Sequence, residues 1–201
     1  MKGILLKREI YNEHLKVLKN LNIPHKKLII FFAGVPGAGK TYISKVLEKR
    51  YNGIRVNNDE LRRLIRILYK RKFNSYLKNV DKILYDYLDW FISNYKFSNR
   101  LIIADRGIDR KYEELLLLVK KLKYPFFIIS IKLTSRRLLE KRVKKKLRGK
   151  LDRNFIENID RWIRENREFN KNFKSDIIIK NEKNDEFDLS SLFRKLDKLI
   201  E

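Results

Sequence analysis

The chain has 201 residues, 43% of them hydrophobic, with no cysteine, two histidines, and 49 Lys+Arg against 25 Asp+Glu for a formal charge of +24. Its length suits one domain around a single sizeable core; disulfides and thiol chemistry are excluded, and His14 and His25 cannot build a zinc site without carboxylate help. The longest apolar runs, "LIIFFA" at 28–33 and "PFFIISI" at 125–131, fall well short of the roughly 20 residues a membrane-spanning helix needs.

In chain order, residues 4–21 carry apolar positions at helical spacing among scattered charges, which predicts an accessory helix up to about residue 25 rather than a secretion signal. A cytoplasmic protein is the expectation. "LIIFFA" is too short for a helix and is bounded by Gly34, so it reads as a strand buried on both faces, the pattern of a parallel sheet. A helix from about Gly39 to Arg50, a short strand at 54–56 and helical segments from about Glu60 to Tyr95 follow. The second half repeats the alternation. Strands are expected at 100–105, 126–133 and 175–182, and helices near 110–122, 135–147 and 154–171. "DLSSLFRKLDKLI" forms the last helix, with Asp188 or Ser190 as its cap. Five strands alternating with helices predict an α/β three-layer sandwich with a five-stranded parallel sheet, one domain over 1–201 with a basic helical lid at about 136–155.

The densest motif is "GVPGAGKT", Gly34 to Thr41, which fits GxxxxGK(S/T) between a buried strand and a helix. Gly34, Gly37 and Gly39 let successive backbone N–H groups turn inward toward phosphate oxygens, and the following helix adds its positive end. Lys40 would reach the β- and γ-phosphates, and the Thr41 hydroxyl would face Mg²⁺. Ala38 and Tyr42 complete the nucleotide-binding candidates. ATP is expected over GTP, since no "NKxD"-type segment that reads guanine follows.

Ligands of open α/β sheets sit beyond the carboxyl ends of the strands, where Asp59 and Asp105 are both expected. Asp59, in "RVNNDELRR", is either part of a helix start that Asn57 or Asn58 can cap, or the group that prepares an acceptor hydroxyl. Asp105, closing "LIIAD", is a turn residue or a carboxylate for Mg²⁺, and Arg106 beside it is a surface side chain or a substrate contact. The basic run from Ser135 to Arg153 is a solvated face, a nucleic-acid backbone contact, or a flap whose arginines meet a transferred phosphoryl group, with Arg142 first and Arg148 and Arg153 next. A third basic stretch, with Arg62 and Arg63 at its head, carries Tyr69, Phe73 and Tyr76, aromatics placed for base stacking or for core packing. The charge excess predicts an acidic polymeric partner, nucleic acid before ribosome or membrane surface.

With these motifs in order, residues 28–200 resemble the P-loop kinases of the polynucleotide kinase and zeta-toxin group. "NNDELR" is similar to that group's N-x-D segment, "IIADRGIDRKYEELL" to its next strand and Arg-bearing helix with Asp105 and Arg110, and "LLEKRVKKKLRG" to its lid with Arg142 on the first arginine. The loop after Asp105 departs from the group's usual small-residue form, and the second lid arginine falls on Lys146, with Arg148 two residues on. "SDIIIKNE" resembles the strand and loop that hold adenine, through backbone near Asn181. The resemblance implies transfer of the ATP γ-phosphoryl to a hydroxyl, with Asp59 activating it, Lys40 and Mg²⁺ holding phosphates, and Arg142 meeting the developing charge. The charge favours a 5'-hydroxyl polynucleotide end as acceptor. A nucleotide, nucleotide-sugar or other metabolite, or a nucleotide-switched RNA- or ribosome-binding ATPase, are the other readings.

Overall fold

The structure, a computed structural model, describes residues 9–10, 12–13, 27–74, 80, 83–84, 101–109, 112–113, 117, 120, 123–133, 135–146, 153–182 and 187–200. Most of the expected N-terminal helix, of the helical run beyond residue 74 and of the helix near 110–122 lies outside them. The elements are β1 (Leu28–Ala33), α1 (Lys40–Tyr51), β2 (Ile54–Asn57), α2 (Asn58–Phe73), β3 (Leu101–Gly107), β4 (Phe126–Lys132), α3 (Arg136–Lys146), α4 (Arg153–Asn172), β5 (Ile177–Lys180) and α5 (Ser190–Ile200). All strand pairs are parallel, in the order β2-β3-β1-β4-β5.

Every residue of β1 is buried, because the strand sits at the centre and both its faces are covered. Alternate side chains feed two cores. Ile29, Phe31 and Ala33 pack with Leu61, Ile65 and Leu68 of α2; Leu28, Ile30 and Phe32 pack with Ile43 and Leu47 of α1 and Leu192 and Leu196 of α5. Burying a side chain of this size contributes about 1.5–3 kcal/mol, so the run without polar interruptions is what fixes β1 in the middle. The expected three-layer parallel sandwich is the fold observed.

Two local features shape the carboxyl edge of the sheet. In β3 the register against β1 jumps, Phe31 pairing with Ala104 but Phe32 with Gly107, while Asp105 stays opposite Asn57 of β2. Asp105 and Arg106 therefore bulge out of the β1 ladder toward the turn after β1, and the strand runs two residues beyond the expected end at Asp105. Bulges of this kind re-aim side chains beside sites.

The second feature is Asn57, whose side-chain amide has both ends in use. Its Oδ1 accepts from the backbone N–H of Asp59 at 2.9 Å and of Glu60 at 3.0 Å, capping α2, while its Nδ2 donates to Asp105 Oδ2. Asn57→Asp would keep the cap and set a second carboxylate against Asp105. We expect it to lower unfolding free energy by about 3 kcal/mol, against about 1 kcal/mol for Asn57→Ser, which only loses the link. Urea unfolding at neutral pH checks this; equal losses in the two variants would remove Asp105 from the account.

α3 is not a free arm along its whole length. Leu139 and Val143 are buried in the second core and approach Gly37 of the turn after β1. On α2, Tyr69 packs against the first core and meets the Phe73 ring at 4.7 Å, so core packing accounts for Tyr69; Tyr76 lies outside the described residues.

Candidate active site

The turn between β1 and α1 is built for a phosphate. Gly34, Gly37 and Gly39 all have positive φ, and at Gly39 (φ 108°) a Cβ would lie 2.5 Å from Phe187 Cζ and 3.0 Å from Asn181 Nδ2. Any side chain there would be strained at this φ and would have to displace the Phe187 ring. α1 starts on this glycine with no side-chain cap and no acidic residue in its first turn, so its N–H groups and positive dipole end carry no built-in anion. Such a terminus is a ready anion site. The Lys40 ammonium lies against the same turn, donating to the carbonyls of Gly34 and, at 2.9 Å, of Val35.

Beside it, Thr41 Oγ1 donates to Asp105 Oδ1 at 3.3 Å. The other Asp105 oxygen is held from behind by Arg55 Nη1 at 2.8 Å and by Asn57. Burial works against the Arg55 charge, but hydrogen bonds and charge from Glu60 and Glu48 outweigh it and raise the guanidinium pKa further. Asp59 opens α2, its side chain 71% exposed and paired with Arg62 Nη1 at 2.9 Å.

The turn, Lys40, Thr41, Asn57, Asp59 and Asp105 line one cleft of about 1150 Å³, with Arg106, Arg142 and Asn181 on its wall, whereas Arg55 and Glu48 do not line it. The site-predicted residues Gly34, Gly37, Gly39, Lys40, Thr41, Tyr42, Asp59, Arg62 and Asp105 lie there too, whereas Arg63 is on the outer face of α2 and Ala38 is fully buried beneath the turn. Arg110 and Arg148 lie outside the described residues, as does the side chain of Arg153 at the head of α4.

Asn181 stitches three elements together. Its Nδ2 donates to Ala38 O at 2.6 Å, its backbone N–H to Lys132 O at 2.9 Å, and Arg142 donates to its Oδ1 at 2.9 Å and its carbonyl at 3.4 Å. Arg142 thus points at the β5 loop, partly buried, which lowers its pKa from the usual value. The backbone groups of Asn181 itself are already engaged.

Residues that periodicity did not reveal also line the cleft. Phe187 stacks on Tyr42 with centroids 5.4 Å apart and 19° between planes; its only sequence signal is a lone aromatic in the polar loop "NEKNDEFD". Asp109 accepts from Asn166 Nδ2 at 3.2 Å, and Asn166 and Asn170 on α4 continue inward to the fully buried Ser130, whose hydroxyl donates to Asn170 at 2.6 Å. Asn58 Oδ1 is buried in the wall with no hydrogen-bond partner among the described residues, and Lys45, Lys141 and Lys145 ring the mouth.

A search of curated proteins found no match. Solved structures that share the fold include a candidate kinase from Chloroflexus aurantiacus, 12% identical with a TM-score of 0.54 over 88% of this chain and 99% of that one. The PezAT toxin–antitoxin system of Streptococcus pneumoniae follows at 15% and 0.54, covering 90% and 80%. A gluconokinase from Sinorhizobium meliloti 1021 stands at 12% and 0.51, covering 87% and 93%. At such identities the likeness is one of fold, that of P-loop kinases. The family described as AAA domain matches residues 29–165, from inside β1 to inside α4, and so takes in the phosphate turn, Asp59, Asp105 and Arg142: the chain belongs to the AAA domain family of P-loop NTPases.

Proposed function

We propose that the protein is an ATP-dependent kinase that transfers the γ-phosphoryl to a hydroxyl on a 5'-hydroxyl polynucleotide end. The observation that carries this reading is that Asp59, largely exposed, shares an open cleft with the Lys40 turn instead of closing a small pocket. An acceptor much larger than the cleft can therefore present one end there. Basic side chains support a polyanion: Arg63, Arg66, Lys70 and Arg71 are exposed along α2 beyond Asp59, and Lys45, Lys141 and Lys145 stand at the mouth.

In the reaction, Asp59 accepts the proton of the acceptor hydroxyl as its oxygen bonds to the γ-phosphorus and the bond to the β–γ bridging oxygen breaks, leaving ADP and a phosphomonoester. The turn's N–H groups and Lys40 hold the phosphates, and Arg142 meets charge on the transferred group. The oxygen pair Thr41 and Asp105 suits Mg²⁺, a hard ion that takes one or two protein oxygens and completes its sphere with phosphates and water. Among the described residues no group of three or more acidic, His or Cys side chains gathers to hold a metal unaided. When bound, that ion neutralises phosphate charge during transfer. No helix among the described residues is long and apolar enough to cross a membrane.

A small hydroxylated metabolite is the rival acceptor, favoured by Asp109, a further carboxylate on the cleft wall besides Asp59, Glu60 and Asp105. Labelled ATP with Mg²⁺ and a panel of 5'-hydroxyl RNA and DNA, nucleotides, nucleotide-sugars and sugar acids separates the two. Label on nucleic acid is the expected result. Label confined to a small molecule overturns the polynucleotide acceptor, and ATP consumption with no labelled product overturns the kinase.

A further inference from the structure

We propose that Arg55 is a positioning residue that pins one oxygen of Asp105, so that a single oxygen faces Thr41 and the site favours Mg²⁺ over Ca²⁺. The inference rests on the reading of Thr41 and Asp105 as the cation pair.

Arg55 sits on β2 between two apolar neighbours, Ile54 and Val56, with its side chain only 6% exposed. Its three guanidinium nitrogens reach three carboxylates on three elements. Nη1 donates to Asp105 Oδ2 of β3 at 2.8 Å, Nε to Glu48 Oε2 of α1 at 2.8 Å, and Nη2 to Glu60 Oε1 of α2 at 2.6 Å. Stability alone does not call for this, because a well-packed apolar side chain often replaces a buried ion pair without loss. What the arrangement does specify is the two ends of Asp105: Oδ2 takes both Arg55 and Asn57, and Oδ1 takes only the Thr41 hydroxyl among the described residues. A planar guanidinium holds such an orientation, while a flexible ammonium on a single point does not.

The consequence concerns coordination. Ca²⁺ accepts carboxylates through one or both oxygens in loose geometry, whereas Mg²⁺ demands near-octahedral geometry from single oxygens and keeps several waters. A carboxylate with one oxygen fixed elsewhere offers only the second kind of contact. Groups that orient a metal-binding side chain are worth roughly 10–100-fold in metal affinity.

The test is the affinity of full-length protein for a fluorescent ATP analogue without metal, with Mg²⁺ and with Ca²⁺, for the natural chain, Arg55→Lys, Arg55→Gln and the control Glu48→Gln. We expect the natural chain and Glu48→Gln to bind the analogue more tightly with Mg²⁺ than with Ca²⁺. Both Arg55 variants should keep metal-free affinity within about two-fold and lose about ten-fold of the Mg²⁺ gain, with the Ca²⁺ gain changing least. An unchanged Mg²⁺-to-Ca²⁺ ratio in either folded variant overturns the proposal, even if its melting temperature falls. Parallel loss of metal-free binding also overturns it, because Arg55 would then serve the scaffold as a whole. If the natural chain itself gains nothing from either ion, the cation pair is misassigned and the inference falls with it.

Discussion

Lys40→Ala is expected to reduce phosphoryl transfer by roughly a thousand-fold or more, the range seen when one fixed charge or donor is taken from a developing phosphoryl or oxyanion. The loss should appear in kcat/KM for ATP with every acceptor, because Lys40 belongs to the phosphate turn and not to the acceptor side of the cleft. Structure should survive. Lys40 is partly exposed and lines the cleft, so water can fill the space its ammonium leaves beside the carbonyls of Gly34 and Val35. Circular dichroism and thermal unfolding would show a folded protein, and transfer within ten-fold of the natural chain would mean that the turn does not hold the reacting phosphates.

Asp59→Asn should act differently. The asparagine keeps the size and much of the hydrogen bonding at the head of α2 but has no charge with which to accept a proton, so kcat for transfer should fall by about 10²–10⁴-fold. ATP affinity should stay within about two-fold, since Asp59 lies on α2 and the phosphates are expected at the turn before α1. The Arg62 partner is itself partly exposed, and an exposed pair contributes roughly 0–1 kcal/mol, so stability should barely change. Steady-state kinetics on the best acceptor from the panel, with tight-binding measurements of ATP alone, separate the two effects. If Asp59→Asn transfers normally while Lys40→Ala does not, Asp59 is not the base and another group prepares the acceptor hydroxyl.

The two results together read each half of the cleft independently, because the residues come from different strand ends. Lys40 follows β1 and Asp59 follows β2, with β3 lying between those strands. Losses in a double variant that fall short of the sum of the singles would indicate that the two act on one step.

How much of this was legible in the sequence depends on the range of the interaction concerned. "LIIFFA" could be read as a doubly buried strand because burial on both faces leaves no polar alternation, and the phosphate turn could be read because glycine spacing encodes backbone geometry directly. The α2 start was also legible: capping is a local hydrogen bond, and Asn57 is the residue that makes it. Arg55 was not. Its nearest partner in sequence is Glu60, five residues on, but Asp105 is fifty residues away and meets it only because β2 pairs with β3. The bulge at Asp105 and Arg106 was hidden for the same reason, being a mismatch between two ladders that the residues of β3 do not announce. The chain from Ser130 through Asn170 and Asn166 to Asp109 joins three segments that look, one at a time, like ordinary strand, helix and turn. Phe187 could have been noticed as an isolated ring in a polar loop, yet nothing local says that it lies over Gly39.

The seating of Leu139 and Val143 against Gly37 makes α3 a lever with its fulcrum at the middle of the helix. Side chains close to the fulcrum travel little when such a lever tilts, and those beyond it sweep an arc that grows by about 1.5 Å of arm for every residue. Arg142 is beside the fulcrum, its Cβ 3.8 Å from where a Cβ on Gly37 would be, so its guanidinium is preset by the resting structure and gains little from motion. The charge Arg142 carries is therefore already in place before a nucleotide arrives.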